Sequence, residues 1–197
     1  MTGFGNAPLI LASTSVYRRE LLQRLKVPFE VVPPEVDETP LPAERPADLA
    51  RRLALAKAQA IAQSRPKAIV IGSDQVADLH GDALGKPGSF DKAMAQLQRM
   101  SGQTVIFHTA VSVVFADRQF FKTELAQVHV QFRKLSSEVI ESYLNSEQPY
   151  DCAGSAKSEG LGIALLERID SDDPTALIGL PLIRTCQLLR QAGLPLL

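Results

Sequence analysis

The 197-residue sequence predicts a mixed α/β fold on three observations. Short apolar, β-branched runs alternate with amphipathic helical stretches through the first half. Two long β-patterned runs then follow one another across a polar turn. No internal repeat or interdomain linker interrupts the series. The early alternation argues for strands joined by helices, and the later hairpin adds antiparallel pairs, so the expected sheet is mixed rather than purely parallel. The length suits one domain, 1–197, with a sizeable core.

Taken in order, Leu9–Ala12 reads as a buried strand that runs through Ser13-Thr14-Ser15 into a helix from Val16 to Leu25. Leu21, Leu22 and Leu25 share one stripe of that helix, and one of the three hydroxyl residues should cap it. Pro28–Val32 is a second strand, ended by Pro33-Pro34. The acidic segment Glu35-Val36-Asp37-Glu38 and a loop punctuated by Pro40, Pro42 and Pro46 follow. Ala47–Gln63 is an Ala-rich helix with Leu49, Leu53, Ala56, Ala60 and Ile61 on its apolar face. Ala68–Ile71 reads as a strand that stops at Gly72-Ser73 and delivers Asp74 and Gln75 at its end. Val76–Leu79 continues extended, His80-Gly81-Asp82 is a turn, and Ala83–Gly85 returns as a short arm.

The second half opens with a helix over Phe90–Met100, capped by Ser89. Val105–Ala116 and Phe120–Phe132 form the long hairpin. His108 and His129 project from it with no Cys or His at metal-ligand spacing. A helix from Ser136 to Leu144 presents Val139, Ile140, Tyr143 and Leu144. A Gly- and Ser-rich loop over Asp151–Gly162 carries Lys157 and Glu159. Ile163–Ile169 reads as a strand, Asp170–Pro174 as a turn, and Leu180–Gln191 as a closing helix with Ile183, Leu188 and Leu189 inward.

Bulk properties exclude several function classes. The formal net charge is -1, so no whole-chain field attracts a nucleic acid polymer or a membrane surface. No apolar run approaches the roughly 20 residues of a spanning helix. Met1–Asn6 lacks the basic region of a leader, and a cytoplasmic location is expected. Cys152 and Cys186 fit no metal or redox spacing and read as small hydrophobes.

The chemistry resides in charged residues at element ends. Arg18 and Arg19 stand in the first turn of a helix, where the dipole favours acids. A local rule broken beside three hydroxyls marks an anion pocket. Lys57, at the apolar face of its helix, either snorkels to water or points into a phosphate site. Lys86, with Pro87, ends the short arm near Asp74. With Glu38 and Asp74 these cations make the set that phosphoanhydride hydrolysis needs: positive charge on the oxygens, carboxylates for a metal, and an acid to orient water. A carboxylate with the ordinary pKa of about 3.9 is a poor base for free water, so Asp74 is expected to act with a metal as ligand, base or both. No Walker loop, Rossmann fingerprint or nucleophile elbow is present.

These segments carry a resemblance. Leu9–Ser15 with Arg18-Arg19, Glu35–Glu38, Lys57-Ala58, Gly72–Gln75, Gly85–Pro87, Ala153-Gly154 with Glu159-Gly160, and Gly179–Pro181 together resemble the Maf family of nucleoside triphosphate pyrophosphatases. The match runs in order from about Leu9 to Gly193. It implies an elongated mixed α/β sheet flanked by helices, with two lobes and a central cleft, related to the inosine triphosphatases. It also implies hydrolysis of a phosphorus-containing anhydride between the α and β phosphates, with Mg, Mn or Co as the divalent cation. On this likeness Asp74 is the catalytic residue. Ser13, Arg18, Lys57 and Lys86 bind substrate, and Glu38 and Asp74 hold the metal. Tyr17, Gln75 and Glu159 fall where the family's branches differ, and they resemble the branch acting on 7-methyl-GTP. Its cationic base suits stacking on Tyr17, with Glu159 accepting from the guanine N1 and N2 donors. Val16 departs from the usual Pro, and Tyr17 from the frequent Trp. The alternatives are a dTTP/UTP pyrophosphatase and a nucleotide-binding regulator of cell division. The oligomeric state stays open, a homodimer being one option.

Overall fold

The computed structural model describes residues 7–197, so Met1–Asn6, read above as lacking a leader's basic region, lies outside the described residues. One seven-stranded mixed sheet organises the chain. Its strands are β1 (Leu9–Ala12), β2 (Glu30–Val32), β3 (Ile69–Leu79), β4 (Asp82–Leu84), β5 (Thr104–Phe115), β6 (Phe120–Phe132) and β7 (Leu166–Asp170). The order is β2-β1-β3-β5-β6-β7, with β4 beside the far end of β3. β1 pairs in parallel with β2 and β3, and every other pairing is antiparallel. The mixed sheet expected from the sequence is therefore observed.

Five α-helices accompany the sheet among the described residues: α1 (Val16–Gln23), α2 (Pro46–Ala62), α3 (Phe90–Met100), α4 (Ser137–Glu147) and α5 (Leu182–Gln191). Ser15, Ser89 and Ser136 cap α1, α3 and α4 by accepting from the backbone N–H of Arg18, Lys92 and Val139. α2 covers one sheet face. Its Ala58, Ile61 and Ala62 pack on Ile10, Val70 and Val114, while Leu49, Leu53 and Ala54 pack on Val76 and Ala110. The opposite face carries two cores. Near β1, Ile69, Ile71, Val111 and Val113 meet Leu21 and Leu22 of α1 and Leu188 and Leu189 of α5. Farther along the same strands, Ala77, Leu79, Val105 and Phe107 meet Leu97 of α3 and Ile140 and Leu144 of α4. The pleat places Ser73, Gln75 and Thr109 between the two cores, on the same face.

Several expectations are corrected. β3 does not stop at Gly72-Ser73 but runs on to Leu79, so Asp74 is a mid-strand residue. His80 and Gly81, both at positive φ (56 and 92), close the β3–β4 hairpin, a two-residue turn that Gly permits. The start of the strand expected from Ile163 belongs instead to a 3-10 turn over Leu161–Leu165, and β7 begins at Leu166. Ile183 and Val139, expected inward, are exposed. His108 is buried rather than projecting, with Nε2 3.0 Å from Asp78 Oδ2. Both cysteines are free and half-buried.

Candidate active site

The site begins at a gap in the sheet. β1 pairs with β3 as far as Gly72, and β4 takes up the same edge only at Ala77. From Ser73 to Val76 that edge of β3 has no strand beside it among the described residues. Asp74 lies in this gap and points, with Gly72 and Val76, toward α2. Gly72 is what lets α2 come close. A Cβ there would lie 2.2 Å from the Ala54 carbonyl oxygen and 2.6 Å from the Ala58 nitrogen. This contact brings Lys57 down onto Asp74. Lys57 is 5% exposed and does not snorkel. Its Nζ lies 2.6 Å from Asp74 Oδ1 and 2.6 Å from Glu38 Oε1, bridging the two carboxylates.

Glu38 arrives from the acidic loop, which α2 holds in place. Arg52 donates Nε to Glu44 Oε1 at 2.6 Å and Nη2 to Glu44 Oε2 at 2.8 Å, and also reaches the Thr39 carbonyl at 3.0 Å. The Arg52 hydrogen bonds hold the Glu44 carboxyl down at about 2. Burial works to raise the Glu38 carboxyl, but its hydrogen bond to Lys57 and the charges of Lys57, Lys86 and Arg18 prevail and hold it below the ordinary range. Asp37 accepts from the Thr39 N–H and caps its own turn, while Glu35 is exposed. Of the three loop acids only Glu38 joins the site.

The two arginines of α1 separate. Arg19 is exposed. Arg18 is half-buried, and its Nε donates to the Gly179 carbonyl at 2.8 Å. Burial lowers the Arg18 pKa, while the charges of Asp74 and Glu38 oppose that shift. Lys86 is exposed, and its charge is felt at Glu38. Ser13 is buried, its Oγ accepting from the Ser15 N–H at 3.1 Å. The structure thus groups Arg18, Glu38, Lys57, Asp74 and Lys86, with Ser13 in the turn that leads to Arg18.

Tyr17 and Glu159 belong to a second, adjoining group from α1 and the Gly-rich loop. Lys157 Nζ sits 5.6 Å from the Tyr17 ring centroid. Burial and the neighbouring Cys152 and Asp151 push the Tyr17 hydroxyl up to about 12. Burial raises the Cys152 thiol to about 12, with Asp151 and Glu159 adding to it, so this cysteine is an inert neighbour rather than a nucleophile. Burial also raises the Glu159 carboxyl, against the pull of its backbone hydrogen bond and of Lys157.

Gln75 stands apart from both groups, on the other side of the pleat from Asp74. Its Nε2 lies within 3.0 Å of Thr109 Oγ1 and of the Ala176 and Leu177 carbonyls. Ser73 Oγ lies 3.0 Å from the Gly179 carbonyl, the same oxygen that receives Arg18. The 3-10 turn at 176–178 is therefore stitched to the sheet between the two cores. Asp173, fully buried, accepts from the backbone N–H groups of Ile183 and Arg184 and fixes the start of α5. Thr175 accepts from the Leu182 N–H and donates to the Leu180 carbonyl. Sequence reasoning missed Arg52, Asp173, Thr175 and the position of Lys157. Only Asp173 had a legible signal, an Asp before Pro near a helix start.

A cavity of about 950 Å³ lies at the opposite end of the sheet, walled by Leu9, Phe29, Ile69, Phe115 and Leu194, and contains none of these residues. Its wall is mainly apolar, with Glu30, Lys67, Asp117 and Arg118 as its charged residues, and the predicted site residues all lie elsewhere, at the β3 gap and the Gly-rich loop.

The family model of Maf-like proteins matches residues 8–192. The chain is a member of the Maf family. A Polaromonas protein named 7-methyl-GTP pyrophosphatase is 67% identical over 189 residues, covering 96% of this chain and 86% of its own. Proteins of the same name from Albidiferax ferrireducens and Aromatoleum aromaticum are 61% and 58% identical, over 96% and 94% of this chain and 95% and 96% of theirs. The seven-stranded mixed sheet with five helices is the fold of this Maf protein.

Proposed function

We propose that this Maf protein hydrolyses 7-methyl-GTP to 7-methyl-GMP and pyrophosphate, removing a modified nucleotide from the cytoplasmic pool. The observation that carries this reading is Lys57 bridging Glu38 and Asp74 in a sheet gap beside Arg18, in a chain similar throughout to proteins of that name.

Among the described residues no group of three or more His, Cys, Asp and Glu forms a metal cage. Two carboxylates converging beside cations suit a Mg²⁺-type ion, which is held by one or two carboxylates and the substrate's own phosphates. Lys57 meets one oxygen of each acid, which leaves the other for the ion. When bound, the ion neutralises phosphate charge and lowers the pKa of water. Glu38 and Asp74 would hold it. Arg18, Lys57 and Lys86 contribute positive charge along the triphosphate, where such donors act most strongly on charge that develops at the leaving oxygens. Asp74 orients the attacking water and accepts its proton. Tyr17 gives the base a stacking face, and a cationic 7-methylguanine gains a cation–π component there. Gln75 is the third specificity position, and it holds the 176–178 turn beside the Gly179 carbonyl that receives Arg18.

The test is pyrophosphate release by the purified protein from 7-methyl-GTP, GTP, dTTP and UTP with Mg²⁺, Mn²⁺ or Co²⁺. The fastest turnover is expected on 7-methyl-GTP. A preference for dTTP or UTP would move the protein to the pyrimidine branch. Tight binding without turnover under every metal would make it a regulator.

A further inference from the structure

The Tyr17 ring has a cation beside it in the free protein, and that cation is held in place from several sides. The Lys157 backbone N–H donates to Tyr143 Oη at 3.0 Å. Its ammonium pairs with Glu147 Oε1 at 2.9 Å, and Glu147 Oε2 in turn accepts from the Leu161 N–H at 2.8 Å. Gly162 lies against the Lys157 backbone, where a Cβ would come within 2.5 Å of the carbonyl oxygen. Gly160 leaves room only for the Glu147 carboxylate, 2.7 Å from where its Cβ would stand. A lysine needed only for solvation would trail a mobile stem into water.

Its distance from the ring decides what it can do. A group stacked directly on an aromatic face sits about 3.5–4 Å from it. Lys157 Nζ lies over the ring at 5.6 Å from its centroid, beyond the distance of a stacked group. The ammonium therefore leaves stacking distance unfilled, and a flat ring laid on Tyr17 would come within its reach. Glu147 takes one of its three donors and two remain. Glu159, two residues on, supplies an acceptor whose electrostatics are coupled to those of Lys157. A donor followed by an acceptor matches the 6-oxopurine edge, a carbonyl oxygen followed by a ring N–H, to which guanine adds an amino group. Adenine presents the opposite sign at both positions. Uracil and thymine match the first two positions but turn a second carbonyl toward the acid.

We infer that Lys157 is a specificity-determining residue that donates to the exocyclic oxygen of a 6-oxopurine stacked on Tyr17, with Glu147 as the positioning residue that holds it there. The inference rests on the nucleotide pyrophosphatase reading above and names the base class that this reading takes.

The experiment is a kcat/KM panel on 7-methyl-GTP, GTP, ITP and ATP for the wild-type protein, Lys157→Met, Lys157→Arg and Glu147→Gln, each checked for folding by thermal melting. Lys157→Met should lower kcat/KM on the three 6-oxopurines by about ten- to a hundredfold and leave ATP unchanged or improved. Lys157→Arg should retain most of the discrimination. Glu147→Gln keeps the acceptor for Leu161 and should lose part of it. An unchanged 6-oxo to 6-amino ratio in folded Lys157→Met, or an equal loss on all four nucleotides, overturns the inference. Should Lys157→Met not fold, an unchanged ratio in Glu147→Gln overturns it instead. A wild-type protein inactive on every nucleotide would sink the pyrophosphatase reading itself, a result distinct from an active enzyme whose ratio ignores Lys157.

Discussion

Lys57 concentrates the electrostatics of the site in one ammonium. A buried cation between two acids is stable only while both partners stay, because its removal leaves the Asp74 carboxylate desolvated and uncompensated. Lys57→Met should therefore cost about 3–5 kcal/mol of stability, and adding Asp74→Asn should restore much of that loss without restoring turnover. Urea unfolding of the single and double variants tests the pair. A double variant as unstable as Lys57→Met would mean that the lysine acts by packing alone. Asp74→Asn by itself keeps the shape and should cut kcat by about 10²–10⁴ while altering KM less. Activity that survives it removes Asp74 from the chemistry. Most of this group was legible in the sequence: Arg18 opposes its helix dipole, Lys57 lies at an apolar helix face, and Asp74 follows a buried strand. Lys157 was not, because a lysine in a glycine-rich loop breaks no rule until the loop folds beneath Tyr17. Gln75 was noticed for its neighbour, yet the pleat turns it away from Asp74 and into a network invisible to local pattern.

At the scale of elements, the misread end of β3 is instructive. Gly72-Ser73 after four apolar residues has the local signature of a stop. The glycine is present because α2 needs the space, and only the folded chain supplies that helix. Gly72→Ala should overpack this contact by about 1–3 kcal/mol and push α2 outward. Lys57 would then leave Asp74, so kcat should fall at temperatures where the variant is still fully folded. Full activity in a destabilised Gly72→Ala would separate helix packing from the site. The acidic loop is a second case, held by Arg52 through Glu44. The folded Glu44 carboxyl stands at about 2 against an ordinary 4.5. Its contribution to stability is thus complete above the ordinary value and is lost as the pH falls toward 2. Arg52→Gln should be less stable than the parent at pH 6, with the gap closing as the pH drops through that window. Urea midpoints across pH 2–7 measure it, and a gap independent of pH would show that the charge pair is not what Arg52 contributes.

For the whole molecule, the question is whether the two cores on one sheet face are one cooperative unit. Strands alternating with helices, followed by the β5–β6 hairpin, made the mixed sheet legible, but no pattern in the sequence marks where one core ends and the next begins. The division comes from Ser73, Gln75 and Thr109, polar residues whose partners are carbonyls a hundred or so positions away in two of the three cases and nearly seventy in the other. The strands themselves cross it. Ile69 and Ile71 lie in one core and Ala77 and Leu79 in the other; Val111 and Val113 lie in the first and Val105 and Phe107 in the second. Neither core can open without breaking ladders that the other shares, and the 176–178 turn binds the boundary. The chain should then unfold in one step, with calorimetric and van't Hoff enthalpies equal. The chain has no Trp, so one can be placed to report each core. Phe90→Trp packs against the core of α3 and α4, and Phe29→Trp against that of α1 and α5. Their urea transitions should coincide with each other and with the loss of secondary structure. Two separated midpoints would mean that the two cores hold together independently, and that the site between Arg18 and the Gly-rich loop is assembled by docking rather than by one cooperative fold.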